Sequence, residues 1–357
     1  MSFTPTQINP KPARRRWFKI ILLTLGLIIV TGIVFIYFVA QDLKTVDDAD
    51  LILEPVALLA EDDNAYYVLP VIAELSESQR VIVDQAVAVA SGRSSSSAQQ
   101  AVNNTMFLTD AFITASKKAG YQCPTSVNQY FINAKLCSLA DLRDLAELTA
   151  LRAEVALAAG DVTDASESSL AIVRMAYYQS NSATTLIEQL VAMAMYNAAF
   201  PVLERIAVVA DETEDIAITL EEYRLTLATL ARAYRLEYMQ FKGLVIATSE
   251  GTSSGIDVPA PVGYGWHPNR TQQQYADFYR WVLEGTKIPC EEMSKEFDLE
   301  LNARVVALSD VSPLMPLKPN AIGNMLIAVT IGSTNNIKQN TCEVEQKYVS
   351  LIENLRE

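Results

Sequence analysis

Histidine is almost missing from this chain: 357 residues contain one, His267, and the four cysteines include no C-x-x-C pair. Zinc clusters and dithiol redox motifs therefore lack their material. Glycine and proline are sparse as well, at 13 and 14 residues, and none of the glycines forms a phosphate-cradling loop. Basic residues fall short of acidic ones, 28 Lys+Arg against 42 Asp+Glu, for a formal net charge of −14. That balance removes the sequence-independent attraction to phosphates on which nucleic-acid binding rests. No nucleic-acid partner, cofactor or metal is expected.

What charge there is lies unevenly. Residues 1–40 hold five bases (Lys11, Arg14, Arg15, Arg16, Lys19) and no acid, which leaves 23 bases against 42 acids, or −19, for residues 41–357. Between Ile20 and Ala40 there is no charge at all. As a helix this run is about 31 Å long, enough for a hydrocarbon core of about 30 Å. A cleaved signal peptide is the rival reading. It is opposed by the length of the run, by bulky Phe38 where cleavage wants a small residue, and by the absence of a following cysteine. The basic flank KPARRRWFK keeps the N-terminus in the cytoplasm by the positive-inside rule, and Trp17, Phe18, Phe35, Tyr37 and Phe38 suit the two interfaces. The expected organisation is a cytoplasmic tail (1–16), a transmembrane anchor (17–40) and an extracytoplasmic domain (41–357), with 41–210 and 211–357 as candidate halves. Alanine-rich helices and a short tail place the protein, as an expectation, in a bacterial inner membrane with its bulk in the periplasm.

Cys123, Cys137, Cys290 and Cys342 all follow the anchor, and four cysteines in an oxidising compartment read as two disulfides. Three pairings are open. The preferred one joins Cys123 to Cys137 across PTSVNQYFINAKL, which has no helical period, and Cys290 to Cys342. In the chain-entropy picture those closures stabilise by about 3 and 4 kcal/mol.

Beyond the anchor the apolar residues recur almost everywhere at spacings of three and four, predicting an all-α domain. Ser138 with Asp141 opens a helix carrying Leu142, Leu145, Leu148, Leu151 and Val155, which Gly160 closes, and Asp161 opens the next, to about Gln179. Thr185 with Glu188 caps another, in which Pro201 predicts a kink or break. Thr219 with Glu222 reads as the start of a long helix through Tyr223, Leu227, Leu230, Tyr234, Tyr238, Phe241 and Val245. Shorter helices follow through Tyr275–Val282 and Met293–Leu308, and a last one from near Asn320. Segments 91–100, 251–269 and 310–320 read as linkers. Residues 148–176 (LTALRAEVALAAGDVTDASESSLAIVRMA) resemble a tetratricopeptide-type helical hairpin, with small Ala153 and Ala165 flanking the Gly160 turn. The resemblance covers roughly a tenth of the chain and has no second copy at about 34 residues. It implies packed helical hairpins, in a solenoid-like or irregular bundle.

Catalytic motifs are weak. Gly251-Thr252-Ser253-Ser254-Gly255 spells a nucleophile elbow, but it follows a helix and not a strand. Asp161, Asp164 and Glu167 lack calcium-loop spacing. Acid groups such as Glu221–Glu222 and Glu61–Asp63 read as solvated surface or, in the alternative, as carboxylates for sugar hydrolysis. The segment PAPVGYGWHPN offers Tyr264, Trp266 and His267 as a partner-contact loop, against the alternative that its rings tuck into the core. The leading expectation is a non-enzymatic adaptor, scaffold or assembly factor for envelope proteins. The alternative is a membrane-anchored hydrolase of envelope polymers.

Overall fold

Local signals set most helix ends in the computed structural model. It describes residues 22–32, 41–124, 137–210, 213–249, 266–292 and 337–356, with scattered positions between 299 and 327. The helices are α1 (Leu22–Gly32), α2 (Glu77–Ala90), α3 (Ala98–Ser116), α4 (Leu139–Ala158), α5 (Val162–Ser182), α6 (Leu186–Val209), α7 (Glu214–Glu222), α8 (Leu227–Ser249), α9 (Pro268–Thr286) and α10 (Ile337–Arg356). No strand occurs among the described residues, and the Asn64–Gly120 contact is an isolated parallel bridge. The fold is all-α.

Capping boxes open α2, from Ser76 and Gln79, and α6, from Thr185 and Glu188. Ser97 caps α3, so the serine-rich linker ends there and Ala98–Gln100 is already helix. The Asp161 side chain accepts from the Asp164 amide at the start of α5. Gly160 turns α4 into α5 at φ +83°, a conformation that a side chain would strain. Ala153 and Ala165 are fully buried on either side of that turn, and α4 and α5 pack against each other as a helical hairpin. The Arg152 guanidinium locks it from outside, meeting Asp164 through two bonds (3.1 and 2.8 Å), Thr109 at 3.2 Å and Asp110 at 2.5 Å.

One sequence expectation is narrowed and another needs correction. Of the kink or break expected at Pro201 the break does not occur, because buried Ala199, Phe200, Val202 and Leu203 hold both sides of the proline in the core of a continuous α6. Thr219, in turn, does not start a helix. It lies inside α7, its hydroxyl donating to the Asp215 carbonyl at 2.9 Å, and the chain leaves helix at Tyr223 before α8 starts at Leu227. The interruption is held by tertiary bonds: the Tyr196 and Tyr348 hydroxyls both donate to the Tyr223 carbonyl (2.9 and 3.1 Å), while Leu225 is sunk in the core at 0 % exposure.

Helix α6 is the one described helix long and apolar enough to cross a membrane, but 61% of its apolar window is buried inside the fold, against α4, α5 and α10, so it is a core helix. The buried apolar side chains form one continuous cluster from Leu51 to Leu355. Both preferred disulfides are present, with Cα–Cα distances of 5.9 Å for Cys123–Cys137 and 5.3 Å for Cys290–Cys342. The latter ties the turn after α9 to the first half of α10. The flanks of the expected anchor, the loop inside the first disulfide, the serine motif at 251–255, most of the expected Met293–Leu308 helix and the first half of the expected last helix lie outside the described residues.

Candidate functional site

Two constellations stand out, one at the entrance to the domain and one across its helical face. At the entrance, the residues directly after the apolar run are bonded to α8 and α9. Helix α9 opens with Pro268, and its His267 N-cap supplies no side-chain bond. The free amides of Asn269 and Arg270 are instead met by the Asp42 carboxylate, each at 2.8 Å, from more than two hundred residues away. Arg280 clasps the Asp50 carboxylate (2.9 and 2.7 Å) and donates to the Asp47 carbonyl at 2.5 Å. Asp48, 8 % exposed, accepts from the Tyr238 hydroxyl at 2.5 Å, Gln272 Nε2 at 2.7 Å and Lys242 Nζ at 2.8 Å. Burial raises its pKa, but the hydrogen bonds from Lys242, Tyr238 and Gln272 together outweigh that and hold the carboxyl below its ordinary value.

The second constellation is a groove between the extended segment after Val56, the turn at the end of α3, the second half of α5 and the α7–α8 interruption. Its smaller part has a volume of about 240 Å³, with Val56, Leu59, Tyr177, Tyr178, Asn181 and Leu236 among its lining residues. It shares Ala119 and both tyrosines with a wider, polar part of about 730 Å³, which adds Tyr223, the cations Lys117, Lys118 and Arg174, and the acids Asp62, Asp63 and Glu222. The larger volume is that of a ligand site, roughly 300–1,000 Å³, and the smaller falls just below that range.

The three rings meet edge to face, Tyr177 to Tyr223 at 5.4 Å and Tyr178 to Tyr223 at 5.9 Å, and the Arg174 guanidinium stands 5.8 Å from the Tyr223 ring centre. The Tyr178 hydroxyl donates to the Lys118 carbonyl at 2.9 Å. Burial, with the hydrogen bond to Tyr223 next, pushes that hydroxyl well above its ordinary pKa, so it stays a neutral donor. The Lys118 ammonium donates to the Asp62 carbonyl at 2.8 Å, and Lys117 pairs with Glu167 at 2.5 Å. The wall opposite α5 is fixed by Gln122, which accepts from the Leu59 amide at 2.7 Å and exchanges bonds with Asn64.

At the end of α5, Arg232 donates to the Asn181 and Ala183 carbonyls (2.6 and 3.3 Å), supporting the last turn of that helix. Beside it the Glu188 carboxylate accepts from the Thr184 hydroxyl at 2.9 Å, from the Thr185 amide at 3.1 Å and from the Thr184 amide. Burial pushes Glu188 above its ordinary pKa although the Thr184 and Thr185 bonds oppose it.

Residues singled out from sequence are distributed as follows. Trp266 and His267 are 1 % and 0 % exposed, so both belong to the domain's own core and not to an exposed contact surface. Tyr264, on which the contact-loop expectation then rests, lies outside the described residues. Glu221 pairs with Arg356 through two bonds (2.8 and 2.9 Å) on the surface, whereas Glu222, Asp62 and Asp63 line the groove. Among the described residues no three His, Cys, Asp or Glu side chains converge as metal ligands. The groove's tyrosine pair and its cations were not picked out by motif reasoning. The signals available were the adjacent Tyr177 and Tyr178, which cannot both lie on one apolar stripe of a helix, and the Lys117–Lys118 pair in an acidic chain.

Searches against protein-family models, curated proteins and solved structures find no match to this chain.

Proposed function

We propose that this chain is a single-pass, membrane-anchored helical protein of the bacterial envelope, N-terminus in the cytoplasm, working as a non-enzymatic adaptor or scaffold for envelope proteins on the periplasmic side. One observation carries the anchored part of the reading. The apolar side chains of α1 are exposed, Leu23 at 74% and Leu27 at 67%, with none of the domain's core packed over them, and ten residues after α1 ends the chain is held in the Asp42–Asp50 clasp on α8 and α9. An apolar helix left uncovered by protein belongs in lipid.

Tethering raises the effective concentration for partners in the same membrane. The α4–α5 hairpin, which we read as tetratricopeptide-type, adds the packed helical surface such partners use. The hydrolase reading keeps one supporting observation, since Asp62 and Asp63 share a groove with Glu222.

The test is twofold. A reporter at the C-terminus that is active only outside the cytoplasm is expected, and activity confined to the cytosol would overturn the anchor reading. Photo-crosslinking from exposed positions on α2 and α3 in intact membranes is expected to capture one envelope protein reproducibly. Random, abundance-ranked products would overturn the adaptor reading.

A further inference from the structure

We infer that the groove between the Asp62–Asp63 turn and the tyrosines of α5 is a glycan-binding site, lined by Tyr177, Tyr178 and Tyr223 beside Arg174 and Lys117. This goes beyond the adaptor reading and does not depend on it.

Charge is the first argument. The chain after the membrane run is strongly acidic, yet the wide part of the groove sets Lys117, Lys118 and Arg174 against Asp62, Asp63 and Glu222. A site balanced in this way favours no ion of either sign. An acidic peptide would meet the three carboxylates and a basic one the three cations, at distances where like charges repel.

Hydrogen-bonding capacity is the second. Guanidinium and ammonium groups only donate, carboxylates only accept, the Tyr178 hydroxyl, whose proton goes to the Lys118 carbonyl, has acceptor capacity left, and the Asn181 amide does both. A ligand that uses them all must itself donate and accept at many closely spaced points, as a polyhydroxyl chain does. Aromatic surface is the third. Tyrosine offers an apolar ring with a polar tip and few torsions to freeze, which suits the C–H faces of sugar rings.

The site is also built in advance. Tyr223 is placed by the hydroxyls of Tyr196 and Tyr348, which hold the α7–α8 interruption at its carbonyl, and Tyr178 is held by its bond to Lys118. Little ordering remains for the ligand to impose. The cavities of about 240 and 730 Å³ are neighbours that share Ala119, Tyr177 and Tyr178 in their walls, which suits a ligand of more than one sugar ring.

Calorimetric titration of the full-length protein in detergent micelles tests this, with an N-acetylglucosamine tetrasaccharide, maltotetraose, an aspartate hexapeptide and a lysine hexapeptide as probes. Saturable binding of at least one oligosaccharide is expected, with neither peptide binding or competing. Arg174→Ala and Tyr177→Ala are expected to weaken it by at least about tenfold. Lys117→Ala, at an exposed position, is expected to weaken it several-fold with the fold unchanged. Should Tyr177→Ala unfold, Tyr177→Phe, which keeps the ring, and Lys117→Ala carry the comparison. Absence of heat with both oligosaccharides, displacement by either peptide, or unchanged affinity in variants that melt like the native protein would overturn the assignment. The titration involves neither topology nor a protein partner, so its failure leaves the anchor reading standing, and the converse holds.

Discussion

Removing the Asp48 carboxylate should loosen the hold of α8 and α9 on the first segment of the domain. In Asp48→Ala three donors lose their acceptor at once. Two are deep, Tyr238 at 0 % and Gln272 at 5 % exposure, and the third, Lys242, has a side chain 30% exposed and can turn toward water. A buried donor left without a partner costs about 1–3 kcal/mol, and breaking one side of a buried ion pair about 3–5 kcal/mol. With Lys242 partly relieved by solvent, the expected loss is about 3–4 kcal/mol. Asp48→Asn keeps one acceptor oxygen but turns an amide donor toward other donors, and should lose about half as much.

Acid gives an independent reading of the same group. Because the folded-state pKa lies below the unfolded value, the carboxylate's contribution is present above the ordinary carboxylate range and is lost as pH falls through the lowered value. The gap between native and Asp48→Asn protein should therefore narrow on acidification. Urea unfolding followed across that range measures both effects. Amide exchange should in addition rise in residues 41–53 while α3 to α5 stay protected. An Asp48→Ala protein within about 0.5 kcal/mol of native, the size of an ordinary surface change, would refute the reasoning.

Three further outcomes are expected. Gly160→Ala, at φ +83° with open space around it, should lose about 1 kcal/mol from backbone strain alone, whereas Gly323→Ala should lose more, because its new Cβ would collide with Thr271 Oγ1; thermal melts that rank them the other way would count against both assignments. Protein purified without reductant should present no reactive thiol. Replacing both Cys290 and Cys342 by Ser, which opens a span of 52 residues, should cost about 4 kcal/mol in urea unfolding, and a loss under about 1 kcal/mol would place the bridge's role elsewhere. Glu188 has the opposite sign from Asp48: its folded pKa is raised by burial above the ordinary 4.5, so its contribution to stability declines as pH rises from the ordinary value through the raised one, and Glu188→Gln should gain on the native protein over that interval and hold the gain toward neutrality; parallel pH profiles would contradict this.

The helices were legible in the sequence wherever the signal was local. Asp161 and Thr185 cap amides three residues on, and Gly160 ends α4 because only glycine takes that turn cheaply, whereas the caps at Ser76 and Ser97 went unread, the latter inside a stretch that reads as a linker. The disulfide partners were legible for a similar reason, since an aperiodic stretch between Cys123 and Cys137 reads as a loop to be tied. Failures came where two local rules agreed and a distant residue overruled them. Thr219 and Glu222 have the spacing of a capping box and the apolar stripe continues through Tyr223, so nothing nearby marks a break. The break is secured from α6 and α10, by hydroxyls 27 and 125 residues away. At Pro201 the packing of its neighbours kept the helix continuous where the local rule allowed a break.

The candidate site inherits this asymmetry. Each groove residue looks ordinary in its own segment: Tyr177 and Tyr178 as helix, Lys117 and Lys118 as a helix end, Asp62 and Asp63 as surface acid. They acquire a common meaning only because the Asn64–Gln122 exchange pulls the first extended segment onto the end of α3, 58 residues along the chain, and the interruption at Tyr223 aims a third ring at the other two. A continuous helix through 219–245 would have carried Tyr223 along the α8 stripe and left Arg174 without its ring. The feature that sequence reasoning got wrong is therefore the one that assembles the groove, which is why a substitution at Tyr348, far from any ligand, should disturb binding through Tyr223 if the two are coupled as the structure shows. Tyr348→Phe keeps the ring that packs against Tyr196 and Phe200 and removes only the hydroxyl shared by the Leu220 and Tyr223 carbonyls. It thus separates the tie from the packing.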